Sequence, residues 1–178
     1  MSAPQATVSR MDDSAPAIRL ETWTDDCLSL LRQANTPKMM AHLGGLETED
    51  QLVSRHQRYL QITEPGAGQM LAVVLPNGQP AGIIGYWERR WQHGHVYETG
   101  WHVLPAVQGR GVATAAARAV AALARAQHRH RHLHAFPAVD HAASNAVCRK
   151  AGFTLLGESD IEYPPGSIMR CNDWRLEL

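Results

Sequence analysis

Residues 103–114, Val-Leu-Pro-Ala-Val-Gln-Gly-Arg-Gly-Val-Ala-Thr, are the strongest constraint on what this chain folds into. An apolar strand end runs into a turn holding Gly109 and Gly111, and an alanine-rich helix follows at once. Glycines let successive backbone N–H groups turn toward one point. A helix start adds N–H donors without intrahelical partners and the positive end of the helix dipole. The combination predicts a seat for a phosphate or pyrophosphate at the carboxyl end of a strand, where open α/β sheets bind ligands. A plain strand-to-helix turn that needs two glycines fits the same residues.

Two familiar phosphate loops do not fit. A P-loop requires Lys followed by Ser or Thr after its last Gly, and no Lys is present here. A dinucleotide fingerprint requires a third Gly or Ala where this chain has Thr114, and an acidic residue farther on that is missing.

Composition narrows the class. The 178 residues suffice for one domain with a proper core, and 44% hydrophobic content is ordinary for a globular protein. Lys plus Arg and Asp plus Glu both number 17, so the net charge is zero, which argues against nucleic acid as a partner. Cys27, Cys148 and Cys171 are few and widely spaced, which disfavours a disulfide framework or a zinc site and points to a reducing cytoplasm. No apolar run approaches the ~20 residues of a membrane span. Residues 1–16 are small and polar and read as a flexible tail rather than a signal peptide.

The rest of the chain reads as alternating strands and helices. Ile18–Glu21 alternates like a strand. Thr24 caps a helix with Leu28, Leu30 and Leu31 inside, and Thr48 caps another whose stripe is Leu52, Val53, His56, Tyr59 and Leu60. Met70–Leu75 and Ala81–Trp87 flank an Asn77-Gly78 hairpin turn, and Val96–Leu104 is a third strand after His93-Gly94. The helix after the glycine loop presents Val112, Ala116, Val120 and Leu123 on one face. His132–Phe136 is a strand. Asp140 caps a helix over Ala142–Ala151, which Gly152 ends, with Phe153 packing back. Two closing strands follow, the last showing Trp174, Leu176 and Leu178 in alternation. The order predicts a single mixed-sheet α/β domain.

Gln108, Gly111 and Ala113 match the Gln/Arg-x-x-Gly-x-Gly/Ala loop of the GNAT N-acetyltransferases. A second motif, Asp140 to Phe153, is similar to that family's late helix, usually Asn-x-x-Ser-x-x-Val-x-x-Lys-x-Gly-Phe. Tyr97 to Pro105 and Met40 to Gly45 resemble the ribosomal-protein-alanine acetyltransferase branch. The resemblance covers residues 18–178 and implies an α/β (α+β) GNAT fold. That fold is a mostly antiparallel sheet of about seven strands, splayed at its centre, with helices on both faces. It further implies a flexible tail over 1–16 and an acetyltransferase domain over 17–178. The cosubstrate would be acetyl-CoA, with no metal, and the acceptor a primary amine of a small molecule or a protein N-terminus. A homodimer is left open, while the net charge and the lack of a long apolar run lead to the expectation of no nucleic-acid and no membrane partner. The pantetheine arm would pair with backbone near Trp101, His102 and Val103. The N–H groups of Gln108, Gly109, Arg110, Gly111, Val112, Ala113 and Thr114 would hold the pyrophosphate. His141 stands where the family usually has an Asn that contacts the arm, and Asn145, one turn on, faces the same way as a substitute.

Acetyl transfer needs an uncharged amine, hence a base, and a hydrogen-bond donor for the thioester oxygen. Glu98 is the expected base. It is the only carboxylate in the strand before the loop, among Tyr97, Trp101 and Val103, surroundings that would suit it to proton transfer. His102 and His134 are reserves, and a backbone N–H near Val103 is the expected oxyanion donor. The family's usual acid, a Tyr, is replaced by Cys148, which leaves the acid open. A metal site on the alternating His128, His130, His132 and His134 is disfavoured by Arg129 and Arg131 between them. Tyr86, Trp87, Trp91, Tyr97 and Trp101, with His93, are candidates to line an acceptor pocket. The competing reading is a CoA-binding sensor or regulatory module without catalysis, which the missing Tyr and the His141 change allow.

Overall fold

The computed structural model describes residues 16–62 and 64–178. The tail expected over residues 1–16 therefore lies, apart from Pro16, outside the described residues. Seven strands form one sheet in the order β1-β2-β3-β4-β5-β7-β6. They are β1 (Arg19–Thr22), β2 (Gly68–Val74), β3 (Pro80–Trp91), β4 (Gly94–Val103), β5 (His132–Ala135), β6 (Thr154–Glu162) and β7 (Ile168–Glu177). Every neighbouring pair is antiparallel except β4 and β5. That parallel pair is in register only at Tyr97–Leu133 and Glu98–His134, although β4 runs on to Val103. The edge of β4 beyond Glu98 is thus left open at the middle of the sheet, which is the splay expected of this fold.

Helices cover both faces. α4 (Val112–Ala126) and α5 (Ala142–Ala151) enclose a core with Tyr86, Tyr97, Val103, Leu133 and Trp174. α1 (Leu28–Ala34) and α3 (Glu49–Leu60) enclose a second core with Trp23, Met70, Ala72 and Ile83. A four-residue helix, α2 (Pro37–Met40), lies between α1 and α3; Thr36 caps it and Pro37 opens it. Thr48 caps α3 as expected, with Gln51 returning the bond to the Thr48 N–H at 2.8 Å.

Two helical stripes differ from the sequence reading. On α4, Ala124 is buried and Leu123 is exposed, because the face continues at i+12 from Val112. On α3, Val53 is exposed while Leu52, Arg55 and His56 are buried. The N-cap of α5 is His141, not Asp140; its Nδ1 accepts the Ser144 N–H at 3.4 Å. Gly152 ends that helix at φ +98°, and Phe153 N–H returns to the Cys148 carbonyl at 3.0 Å.

Candidate active site

The open edge of β4 and the glycine loop border a cleft of about 1130 Å³. One wall carries the loop and the first turn of α4. Gly109 and Gly111 adopt φ +74° and +79°, a conformation that favours glycine, so the loop turns without strain. The first bond inside α4 runs from the Ala115 N–H to the Gly111 carbonyl at 3.0 Å. The N–H groups of Val112, Ala113 and Thr114 precede it and are left for a ligand. The Gln108 side chain stays inside the loop, donating to the Val103 carbonyl at 2.8 Å.

Of the residues expected at a cofactor, Trp101, His102, Val103, Gln108, Gly109, Gly111, Val112, Ala113, Thr114 and His141 line this cleft. Arg110 is exposed and lies outside it. Asn145 turns away from it and cannot stand in at the arm. Its amide donates to the Ala138 and His141 carbonyls at 2.9 Å each, and its oxygen accepts from Asn172 at 2.7 Å and Trp174 at 2.8 Å. Asn145 ties α5 to β7 with all its hydrogen-bonding capacity. His141 stacks on His42, ring centroids 4.3 Å apart, and His42 pairs with Asp140 at 3.3 Å. Burial, then the neighbouring His42, pushes the His141 imidazole below its ordinary range.

The floor of the cleft follows from strand alternation. Trp87 sits opposite Glu98, Gly85 opposite Gly100, and Ile83 opposite His102, so these pairs share one face of β3 and β4. The glycine pair leaves a hollow there. A Cβ on Gly100 would stand 3.2 Å from the tip of the Trp87 indole, which lies across that space. Glu98 is mostly buried beside it. Its Oε2 accepts from Arg89 at 2.6 Å and from the Trp87 indole at 3.2 Å, whereas Oε1 carries no hydrogen bond among the described residues. The apolar surroundings expected for Glu98 are therefore wrong: β3 supplies an ion pair that clamps one carboxylate oxygen and leaves the other for the cleft. Arg89 in turn lies over the rings of Phe136 and Trp91, 4.9 and 5.4 Å from their centroids.

The reserve histidines divide. His102 lines the cleft, and its Nε2 is buried without a hydrogen-bond partner. Burial, then Arg55 nearby, pushes its pKa down to about 4, so the imidazole is neutral at physiological pH. An unfolded histidine takes up a proton near 6.5, whereas folded His102 resists it until about 4. Stability should accordingly fall as pH drops through that window, and acid unfolding of His102→Gln should show a shallower decline than the parent between the two values. His134 lies away from the cleft, donating from Nδ1 to Asp173 at 2.6 Å. His130 and His132 are likewise engaged, with Glu88 at 2.7 Å and Glu177 at 3.1 Å.

Cys148, at the position of the family's Tyr, is completely buried in the core and does not reach the cleft. Burial pushes its thiol up to about 12, well above what protonating a departing thiolate calls for. Cys148→Ala should therefore leave kcat unchanged and cost about 1 kcal/mol of stability in denaturant titration.

Of the aromatic cluster, Trp87 and Trp101 reach the cleft. Tyr86 and Tyr97 form a buried edge-to-face pair at 5.0 Å, Trp91 donates to Asp173 at 2.9 Å, and His93 is exposed on the hairpin. The opposite wall holds side chains that strand reasoning did not find: Arg55 and Tyr59 from α3, His42 from the segment after α2, and Tyr163 from the β6–β7 loop. For Arg55 there was a signal, a cation on the apolar stripe of an amphipathic helix.

Among the described residues no helix is long and apolar enough to cross a membrane. No curated protein sequence matches the chain. Solved structures do. An aminoglycoside acetyltransferase, AAC(6')-Ib in complex with coenzyme A, is similar at 18% identity and TM-score 0.73, over 90% of this chain and 95% of that one. A spermidine N-acetyltransferase from Vibrio cholerae, in complex with CoA and spermine, is similar at 15% identity and TM-score 0.72, over 90% and 95%. An acetyl transferase from Salmonella typhimurium that modifies the N-terminal serine of ribosomal protein L7/L12 is similar at 19% identity and TM-score 0.74, again over 90% and 95%. At these identities the likeness establishes the fold. The family rests on the sequence itself, since residues 17–154 match the model for the acetyltransferase (GNAT) domain. With both motifs, the splayed sheet and that match in agreement, the chain belongs to the GNAT acetyltransferase family.

Proposed function

We propose that this chain is an acetyl-CoA-dependent N-acetyltransferase acting on a primary amine of a small molecule or a protein N-terminus, with Glu98 as general base. The observation that carries the reading is Glu98 at the cleft floor with Oε2 clamped by Arg89 and Trp87 and Oε1 free. The phosphates of acetyl-CoA fit the N–H groups after Gly109 and Gly111, and its arm fits the open edge of β4. That arm brings the thioester carbonyl to the floor of the cleft. There Glu98 takes the amine proton, directly or through water, as nitrogen bonds to the carbonyl carbon. The C–S bond then breaks with the electron pair leaving on sulfur. A backbone N–H near Val103 supports the carbonyl oxygen, and solvent supplies the proton to the thiolate, since Cys148 is out of reach. Three free cysteines fit a reducing cytoplasm.

A non-catalytic CoA-binding module is the alternative, and the oriented carboxylate speaks against it. Purified protein incubated with acetyl-CoA and a panel of primary amines should release free thiol with at least one of them. Tight CoA binding without thiol release from any amine would overturn the catalytic reading.

A further inference from the structure

Arg55 of α3 places a deeply buried cation on the lining of the cleft, at a depth where charged groups are rare. The Arg55 side chain is 6% exposed, lines the cleft, and has no hydrogen bond from its Nε. Its one ion pair, with Glu47, uses Nη2, and Glu47 itself does not line the cleft. Tyr59 from α3, Tyr163 from the β6–β7 loop and His102 from β4 stand around the guanidinium. The His102 Nε2 is equally buried and equally unpartnered. A buried polar atom without a partner costs about 1–3 kcal/mol, and Arg55 Nε and His102 Nε2 are two such atoms on residues that line one cleft, which fits a ligand supplying what they lack.

The charge of the walls gives the sign of that ligand. Arg58 and Lys38 also line the cleft, and no carboxylate stands within ion-pair distance of either among the described residues. Among the described residues the only carboxylate on the lining is Glu98, which is already paired with Arg89. A polycation such as spermine would meet net positive walls here. The lining also holds apolar Met70 and Ile83, in the cluster that Trp87 packs against, and Ile161 and Met169, in the cluster with Phe136.

We infer that the acceptor is a small amine carrying a carboxylate, such as an α-amino acid with an apolar or aromatic side chain, whose carboxylate is held by Arg55 with Tyr59, Tyr163 and His102. The inference rests on the acetyltransferase reading and adds the acceptor's class to it. The planar guanidinium matches a carboxylate in shape as well as charge, and its Nε–H is a donor without a hydrogen-bond partner among the described residues. The proposal requires that an amine whose carboxylate is so held reach Glu98, which lines the same cleft beside Trp87.

The test pairs molecules that differ only in that group. Thiol release from acetyl-CoA is measured with L-phenylalanine and L-methionine, with their carboxamides, and with spermidine and kanamycin. The free acids should show kcat/KM about 10- to 100-fold above the amides, as expected for a charge-assisted hydrogen bond. Arg55→Lys, which keeps the charge but loses the fork, should shrink that preference, and the double variant Glu47→Gln/Arg55→Met, which leaves no orphaned carboxylate, should abolish it. Amides or polyamines used as well as the acids, or a preference that survives the double variant, would overturn the inference while leaving the acetyltransferase reading intact. If no amine releases thiol, calorimetric titration of the CoA-loaded protein decides: phenylalanine binding more tightly than phenylalaninamide supports the site, and equal affinities refute it.

Discussion

Glu98→Gln should lower kcat by about 100- to 10,000-fold while CoA affinity stays the same, because the amide keeps the shape but cannot accept the amine proton. The geometry makes this a clean substitution. Oε2 is fixed by Arg89 at 2.6 Å and by the Trp87 indole at 3.2 Å, and a glutamine oxygen can keep both bonds. The group that changes is the one replacing Oε1, which carries no bond to the protein. The defect should depend on pH in a definite direction. At low pH nearly all the amine is ammonium and a base is indispensable. As pH approaches the amine's own pKa, free amine becomes abundant and the variant should recover toward the parent. A rate profile measured across that range, alongside CoA titration by calorimetry, separates proton abstraction from binding. A defect that stays constant across the whole range would remove Glu98 from the base role and move attention to the neutral His102 on the same face.

The parts of the site that were legible in sequence are those whose chemistry is local. Gly109 and Gly111 announce a turn because only glycine holds φ near +75° at no cost, and the helix that follows supplies its donors within the same dozen residues. Gly152 and Phe153 end α5 for similarly local reasons. The rest depends on partners far along the chain. Asn145 and His141 lie one helical turn apart and were expected to face alike. Asn172 and Trp174 on β7 draw Asn145 inward, while the cap to Ser144 keeps His141 at the cleft. Glu98 sits in an apolar-looking strand, yet Arg89 reaches it from the antiparallel neighbour. Arg55 illustrates the limit of a hydrophobic stripe: it occupies the buried position that Val53 was expected to hold, because the face of α3 runs through Leu52, Arg55, His56 and Tyr59. Periodicity marks which face is buried, but not whether that face is the wall of a site.

Asp173→Ala should be the most destabilising single change discussed here, by about 2–6 kcal/mol, the sum of two stranded donors at 1–3 kcal/mol each. Asp173 is 2% exposed and accepts from His134 Nδ1 at 2.6 Å and from the Trp91 indole at 2.9 Å. These bonds tie β7 to β5 and to the far end of β3, across the region where β4 and β5 separate. For a chain of 178 residues such a loss corresponds to a melting temperature lower by roughly 10 °C, readable by circular dichroism. Trp91→Phe removes one of the two donors together with its need for a partner, so Asp173→Ala in that background should cost less than in the parent. Strictly additive losses would show that the indole bond contributes nothing. The same network reaches the proposed base, since Arg89 lies against both the Trp91 and Phe136 rings and clamps Glu98. A folded Asp173 variant assayed well below its melting temperature should therefore lose part of its kcat with CoA affinity unchanged. The loss should be smaller than for Glu98→Gln, because the clamp is loosened while the proposed base remains.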